Sequence, residues 1–387
     1  MGENMLIKNT SLYYNIDDKN HYDILLESGK IACIAPAGEI NQQVDFLDGA
    51  GLIAIPGLID IHIHGAGGTD SQIGTREDFE TISQTLAGMG VTGFLTTMVI
   101  NPHKSNPHLK TASECTGKNL KGSELLGIYI EGPFINIKKR GGIGTGCITS
   151  PSVNIFEKIL EESGNALKIM TVAPEIRGIE KIVTRLRDNN IIAAFGHSDA
   201  NYEETKKGFV MGINHVTHLF NAMPSLHHRN PGPLGAIFEN PEISIELISD
   251  SHHVHPSLIR MARKLKDPRT ITCITDGISG MGLPDGTYMY NNKKYTSKNG
   301  LARYLDGTFI GSATPLGNIA RNYMTFTGAG FKETIDTVTI NPARILGIAN
   351  AKGSLEEGKD ADIVLIDSSF NVHHTIIAGR HIFKSQD

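Results

Sequence analysis

His62 and His64 stand two residues apart in the segment GLIDIHIHG (57–65). On an extended strand such residues point to the same side, about 7 Å apart along the chain, so both imidazoles can reach one metal ion. Histidine is the commonest metal ligand and the usual general base, and this chain carries 16 histidines and no tryptophan. Asp276 ends a second apolar run, TITCITD (270–276), and can join the pair as a ligand, as a base, or as both. Glu131 closes LLGIYIE (125–131), directly before Gly132-Pro133. A carboxylate at the mouth of a dry interior is expensive to ionise unless it is paired, and a cation removes that cost. His197 in FGHSDA and His218 in THLFNAMP complete, with Glu131, a set of two imidazoles and one carboxylate. Three protein ligands leave a coordination position for water, as a catalytic zinc or iron centre requires. The chemistry implied is hydrolysis by metal-activated water.

Two further segments bear on a substrate. NAMPSLHHRNPGPLGA (221–236) carries Arg229, and SDSHHVHP (249–256) carries His253. Together these two side chains would form a compact cationic pocket suited to a phosphate. Many two-metal barrel hydrolases bridge their ions with a carbamylated lysine, but the corresponding run here ends TVAPE without one. Glu131 is then the candidate bridge.

These residues need a scaffold that gathers strand ends. Between about 55 and 345, apolar runs alternate with amphipathic stretches such as REDFETISQTLAGMG and IEKIVTRLRDNN, the pattern of βα units. Eight runs can be counted, at 55–63, 91–100, 125–131, 167–174, 190–197, 213–220, 243–250 and 270–276. They predict an α/β fold, a (β/α)8 TIM-type barrel over 55–345, whose C-terminal rim is where active sites are built. Each candidate residue ends a run or follows one. The strand-like ends, 1–54 and 346–387, predict a small β-sandwich domain built from both termini. The stretch 277–311, rich in Gly, Asn and Tyr, predicts an inserted hairpin or lid.

Composition sets outer bounds. With 387 residues, 40% of them apolar and 20% charged, the chain can bury a substantial core. A net charge of -5 disfavours nucleic acid or an anionic membrane as partner. Cys33, Cys115, Cys147 and Cys273 form no CxxC pair and read as free thiols. No signal segment or membrane span is evident, so a cytoplasmic protein is expected. The glycines of GGIGTGC (141–147) lack the strand-loop-helix context of a dinucleotide site.

The motifs PGLIDIHIHG, EGPFIN, GHSDA, THLFNAMPSLHHRNPG, HVHP, TDG and DGTFIGSATPL run in order along nearly the whole chain. In this the sequence resembles the N-acetylglucosamine-6-phosphate deacetylases of the amidohydrolase superfamily. The resemblance implies removal of acetate from N-acetyl-D-glucosamine 6-phosphate, or from a related galactosamine- or mannosamine-type N-acetylhexosamine 6-phosphate. It implies a principal metal on Glu131, His197 and His218 and a catalytic acid/base at Asp276. Asn221, Ala222, Arg229 and His253 would hold the sugar phosphate, and His62 with His64 would favour a second metal site. Zinc or iron, one or two ions per subunit, and a homodimer follow from the same likeness. One departure stands out: many members carry a Gly-Ala-His stretch after EGPFIN, whereas this chain reads KKRGGIGTGC, with Ile143 at about that place. Two rival readings are another amidohydrolase, cleaving a cyclic amide or deaminating a base, and a non-catalytic scaffold. The Arg229 and His253 pair argues against the first, and the complete ligand set against the second.

Overall fold

The computed structural model describes residues 4–16, 20–290 and 293–385. The eight central runs become eight parallel strands in sequential order: β1 (Leu58–Ile63), β2 (Val91–Met98), β3 (Glu124–Glu131), β4 (Leu167–Val172), β5 (Ile192–Phe195), β6 (His215–Val216), β7 (Ser244–Leu247) and β8 (Ile271–Cys273). A helix follows each of them. Strands covered on both faces read as continuous apolar runs rather than alternating ones, and β2 is buried at all eight positions. The helix Ile179–Asp188 shows the complementary pattern: Ile179, Ile182, Val183 and Leu186 are buried, at the i, i+3, i+4, i+7 spacing of one helical face. Full burial of such a side chain stabilises by roughly 1.5–3 kcal/mol.

Strands β1 and β8 do not pair along their length. Lower in the barrel, Thr337 and Val338 lie between them, accepting from Cys273 N (3.0 Å) and Ile59 N (2.8 Å). At the rim the two meet directly, with Asp276 N donating to His62 O at 3.0 Å and His64 N to Gly277 O at 2.7 Å. Closure therefore happens where the candidate ligands are.

Both termini build the second sheet. Its order joins Ile363–Ile366, Val372–Ile377 and Arg380–Lys384 to Met5–Leu12, Tyr22–Glu27 and Lys30–Pro36 through Ile53–Pro56. The run expected as one strand over 55–63 is thus two: Ile53–Pro56 pairs antiparallel with Ile363–Ile366, and β1 starts after Gly57. At that crossing the backbone passes so close to Thr92 that a Cβ on residue 57 would lie 2.1 Å from Oγ1. The expected domain boundary at 54/55 falls inside the strand Ile53–Pro56, and residues 1–3, 17–19 and 386–387 of the expected terminal unit lie outside the described residues.

The insertion after β8 is larger than a hairpin. It forms a four-stranded antiparallel sheet of Gly286–Tyr290, Lys293–Lys298, Leu301–Tyr304 and Phe309–Ser312. Its last strand is tied to the rim by Ser312 N donating to Asp276 O at 2.9 Å. Gly311, at φ 132°, permits this approach, since a Cβ there would sit 2.4 Å from Asp276 O. Among the described residues no helix is long and apolar enough to cross a membrane, and all four cysteines are free thiols.

Candidate active site

Four of the expected site residues take a left-handed backbone beyond their strands: Ala222 at φ 52° and, at the rim, His197 at φ 47°, His218 at φ 28° and Asp276 at φ 48°. Non-glycine residues adopt this region at a cost of roughly 1–2 kcal/mol each, and such strain concentrates at functional sites. The rim turns swing their side chains over the barrel mouth, where His197 and His218 meet Glu131 and Asp276 meets His62 and His64.

Two triads result, each with ligand atoms within 4.8 Å of one another: Glu131 with His197 and His218, and Asp276 with His62 and His64. Oε1 of Glu131 lies 2.8 Å from His197 Nε2 and 3.0 Å from His218 Nε2. Its other oxygen, Oε2, lies 3.6 Å from His64 Nε2. Oδ1 of Asp276 is 3.3 Å from His64 Nε2 and 3.6 Å from His62 Nε2. Glu131 thus has one oxygen facing each triad. The strand ends at Ile63, so His64 is the first residue beyond it, and the two rings of the HxH pair stand 5.4 Å apart.

The donor set fits divalent cations. His197 Nδ1 is engaged by the carbonyl of Lys139 at 2.8 Å and His62 Nδ1 by Glu246 at 2.9 Å. An Nδ1–H held outward in this way leaves the Nε2 lone pair facing the cluster. His62 Nε2 is buried without a hydrogen-bond partner. His197 Nε2 and His218 Nε2 are only 3.1 Å apart, so both nitrogens can face one cation. Burial by itself would push the carboxyls of Glu131 and Asp276 up, but the imidazoles of His197 and His218, and of His64 and His62, hold them below the usual carboxylate range. Burial likewise opposes charge on His62, yet Glu246, Asp276 and Glu131 push it up to about 10. So much negative charge in a dry site calls for cations.

Over the triads opens a cavity of about 160 Å³, lined in part by Asn221, Ala222, His253 and Asp276. His253 Nδ1 is bound to Asp250 Oδ2 at 2.6 Å, and its buried Nε2 has no partner. Burial opposes protonation of His253, but Asp250 outweighs it and raises its pKa, which favours a cationic tip on the cavity wall. Arg229 is not there. It lies in the exposed His227–Asn230 turn with Nη1 2.8 Å from His228 Nε2, so the expected intrachain pocket of Arg229 and His253 does not form. Ile143 lines the cavity and offers no donor, while Tyr290 of the inserted sheet lines it too, its ring 6.2 Å from that of His64.

Several of these residues escaped the sequence reading. Glu246 and His215 lie in barrel strands, and the visible signals are Glu246 within the apolar run ISIELISD and His215 within INHVTHLF. Tyr290 came from the insertion, where spacing carries no barrel register.

The barrel and its two triads define a metal-dependent hydrolase of the amidohydrolase class, and the amidohydrolase family model matches residues 53–382. The chain belongs to that family. Within it, the N-acetylglucosamine-6-phosphate deacetylase of Bacillus subtilis is 34% identical over 395 residues, covering 100% of this chain and 99% of the relative. That of Vibrio furnissii is 34% identical over 360 residues, covering 93% and 90%. The crystal structure of the corresponding Thermotoga maritima enzyme superimposes with a TM-score of 0.86 at 32% identity, covering 98% of this chain and 100% of the other. The chain is therefore a member of the N-acetylglucosamine-6-phosphate deacetylase family.

Proposed function

We propose that this chain hydrolyses N-acetyl-D-glucosamine 6-phosphate to D-glucosamine 6-phosphate and acetate. The observation that carries this is the placement of Asp276 between the bridged imidazole cluster and a cavity whose wall bears His253. Glu131, His197 and His218 would hold the principal divalent ion, and His62, His64 and Asp276 a second, with zinc or iron suited to such nitrogen and oxygen donors. A divalent ion there supplies Lewis acidity, lowering the pKa of water towards about 7 and polarising the acetamide carbonyl.

Asp276 carries the proton. Its carboxylate accepts one from the attacking water as the new C–O bond forms, and returns it to the amide nitrogen as the C–N bond breaks. Acetate and a primary amine leave, so Asp276 ends the cycle deprotonated. The neighbouring imidazoles suit it to that role by keeping it ionised at rest. Nε2 of His253 binds the 6-phosphate, and Asn221 and Ala222 hold the sugar. The hydroxyl of Tyr290, whose pKa is driven well up by burial and by Asp70, Glu131 and Asp276, stays protonated and serves as a hydrogen-bond donor on the wall where Ile143 provides none.

Arg229 acts in the site of a second copy. Its turn is exposed beside Leu226, an apolar side chain half open to solvent, which supports a homodimer. Free thiols support a cytoplasmic setting. The test is a balance of products: the holoenzyme should release acetate and free primary amine in equal amounts, and release of ammonia, or of neither, would overturn the assignment.

A further inference from the structure

Glu246 is a carboxylate with no side-chain exposure, in the middle of barrel strand β7. An ionised group so deep is tolerated only with its oxygens satisfied. Oε2 accepts from two donors, His62 Nδ1 at 2.9 Å and the backbone N of His218 at 3.0 Å. Oε1 accepts from His215 Nε2 at 3.0 Å. His62 belongs to one triad and His218 to the other, so a single oxygen touches both.

We propose that Glu246 is the positioning residue of the whole metal centre, holding a ligand of each triad through one oxygen. An ionised carboxylate only accepts hydrogen bonds, so His62 must carry its proton on Nδ1 and turn Nε2 towards Asp276 and Glu131. The same oxygen anchors the N–H of His218 at φ 28°, the strained turn that brings its ring to Glu131. The inference rests on the reading that both triads hold cations.

The geometry separates orientation from charge. In Glu246→Gln the amide oxygen can keep the Oε2 position, where two donors converge, and its NH2 then faces His215 Nε2. His215 can accept that N–H by moving its own proton to Nδ1, which lies 2.7 Å from Ser244 Oγ, while Ser244 Oγ donates to the carbonyl of Asn214 at 3.2 Å. Glutamine therefore preserves the ligand geometry. Glu246→Met, of similar size, removes both acceptors.

The experiment is titration of metal-stripped full-length protein with Zn2+ against a competing chelator, alongside thermal unfolding of the stripped proteins. Wild type should take up two equivalents. Glu246→Gln should do so with dissociation constants within about tenfold, whereas Glu246→Met should weaken uptake about 10- to 100-fold, the usual consequence of removing a partner of a ligating histidine. Zinc affinities in Glu246→Met equal to wild type, or a glutamine variant as impaired as the methionine one, would overturn the proposal. Should Glu246→Met fail to fold, Glu246→Gln/Ser244→Val substitutes. Without the Ser244 acceptor His215 keeps its Nε2 proton, the amide turns over, and zinc uptake should fall although Ser244→Val alone binds normally; normal uptake by the double variant would refute the role. A wild type that takes up no zinc, iron or cobalt would instead overturn the underlying metal reading.

Discussion

Nε2 of His197 and Nε2 of His218 stand 3.1 Å apart, with Oε1 of Glu131 within 3.0 Å of both. Two imidazole nitrogens and a carboxylate oxygen converge on one point because two left-handed turns aim the rings across the barrel mouth. The same convergence repeats at Asp276, His62 and His64, with Glu131 between the two groups.

Replacing Asp276 by Asn keeps the side chain's shape and removes its ability to carry a proton. Turnover should fall by about 10²- to 10⁴-fold, the usual contribution of a general acid/base, while the ion on Glu131, His197 and His218 is retained. Steady-state rates and metal analysis on one sample check this; near-normal turnover would remove Asp276 from proton transfer.

His253 should matter only for the phosphorylated substrate. His253→Gln is expected to raise KM for N-acetylglucosamine 6-phosphate about tenfold or more, the worth of one charge-assisted hydrogen bond of about 1.5–3 kcal/mol, and to leave the unphosphorylated sugar unaffected. An equal loss on both sugars would place His253 away from the phosphate.

Arg229 offers a test by mixing. If it serves the site of a second copy, Arg229→Ala and Asp276→Asn homodimers are both impaired, yet a hybrid contains one site with its own Asp276 and a partner's arginine. Co-refolded mixtures should regain activity that neither parent has. Absence of any recovery, with hybrids demonstrated by mass, would argue against a shared site.

Much of this architecture was legible in the sequence because its physical causes are local. A strand buried on both faces must be apolar throughout, so eight runs could be counted, and residues that break the apolar texture at their ends are the ones the structure gathers at the barrel mouth. The first run was read one element too long because Ile55 and Pro56 are as apolar as β1 itself, although they pair with the terminal sheet. Arg229 was placed beside His253 on charge alone, and charge says nothing about the direction of an exposed turn. Glu246 was passed over because its partners, His62, His215 and His218, are 28 to 184 residues distant, and only the closed barrel brings them together.

The inserted sheet is predicted to be part of the catalytic device rather than a cover. Gly311→Ala puts a Cβ against Asp276 O at a backbone angle that L-residues rarely adopt, and should cost more than about 1 kcal/mol in stability. Turnover should drop with it, because Asp276 moves. Tyr290→Phe, in contrast, should leave unfolding unchanged and lower turnover about tenfold or more, as loss of a donor to the reacting group does. Unchanged turnover in both variants would reduce the insertion to scaffolding.

The central claim is a metal-dependent deacetylase that reads the 6-phosphate. Acetate release should be measured on N-acetylglucosamine with and without the phosphate, using one preparation of known metal content, before and after chelation. The account predicts that kcat/KM favours the phosphorylated sugar by at least about 100-fold, as about 2.7 kcal/mol of phosphate binding would give, and that chelation abolishes activity and added zinc or iron restores it. Equal rates on the two sugars, or full activity in metal-free protein, would contradict it.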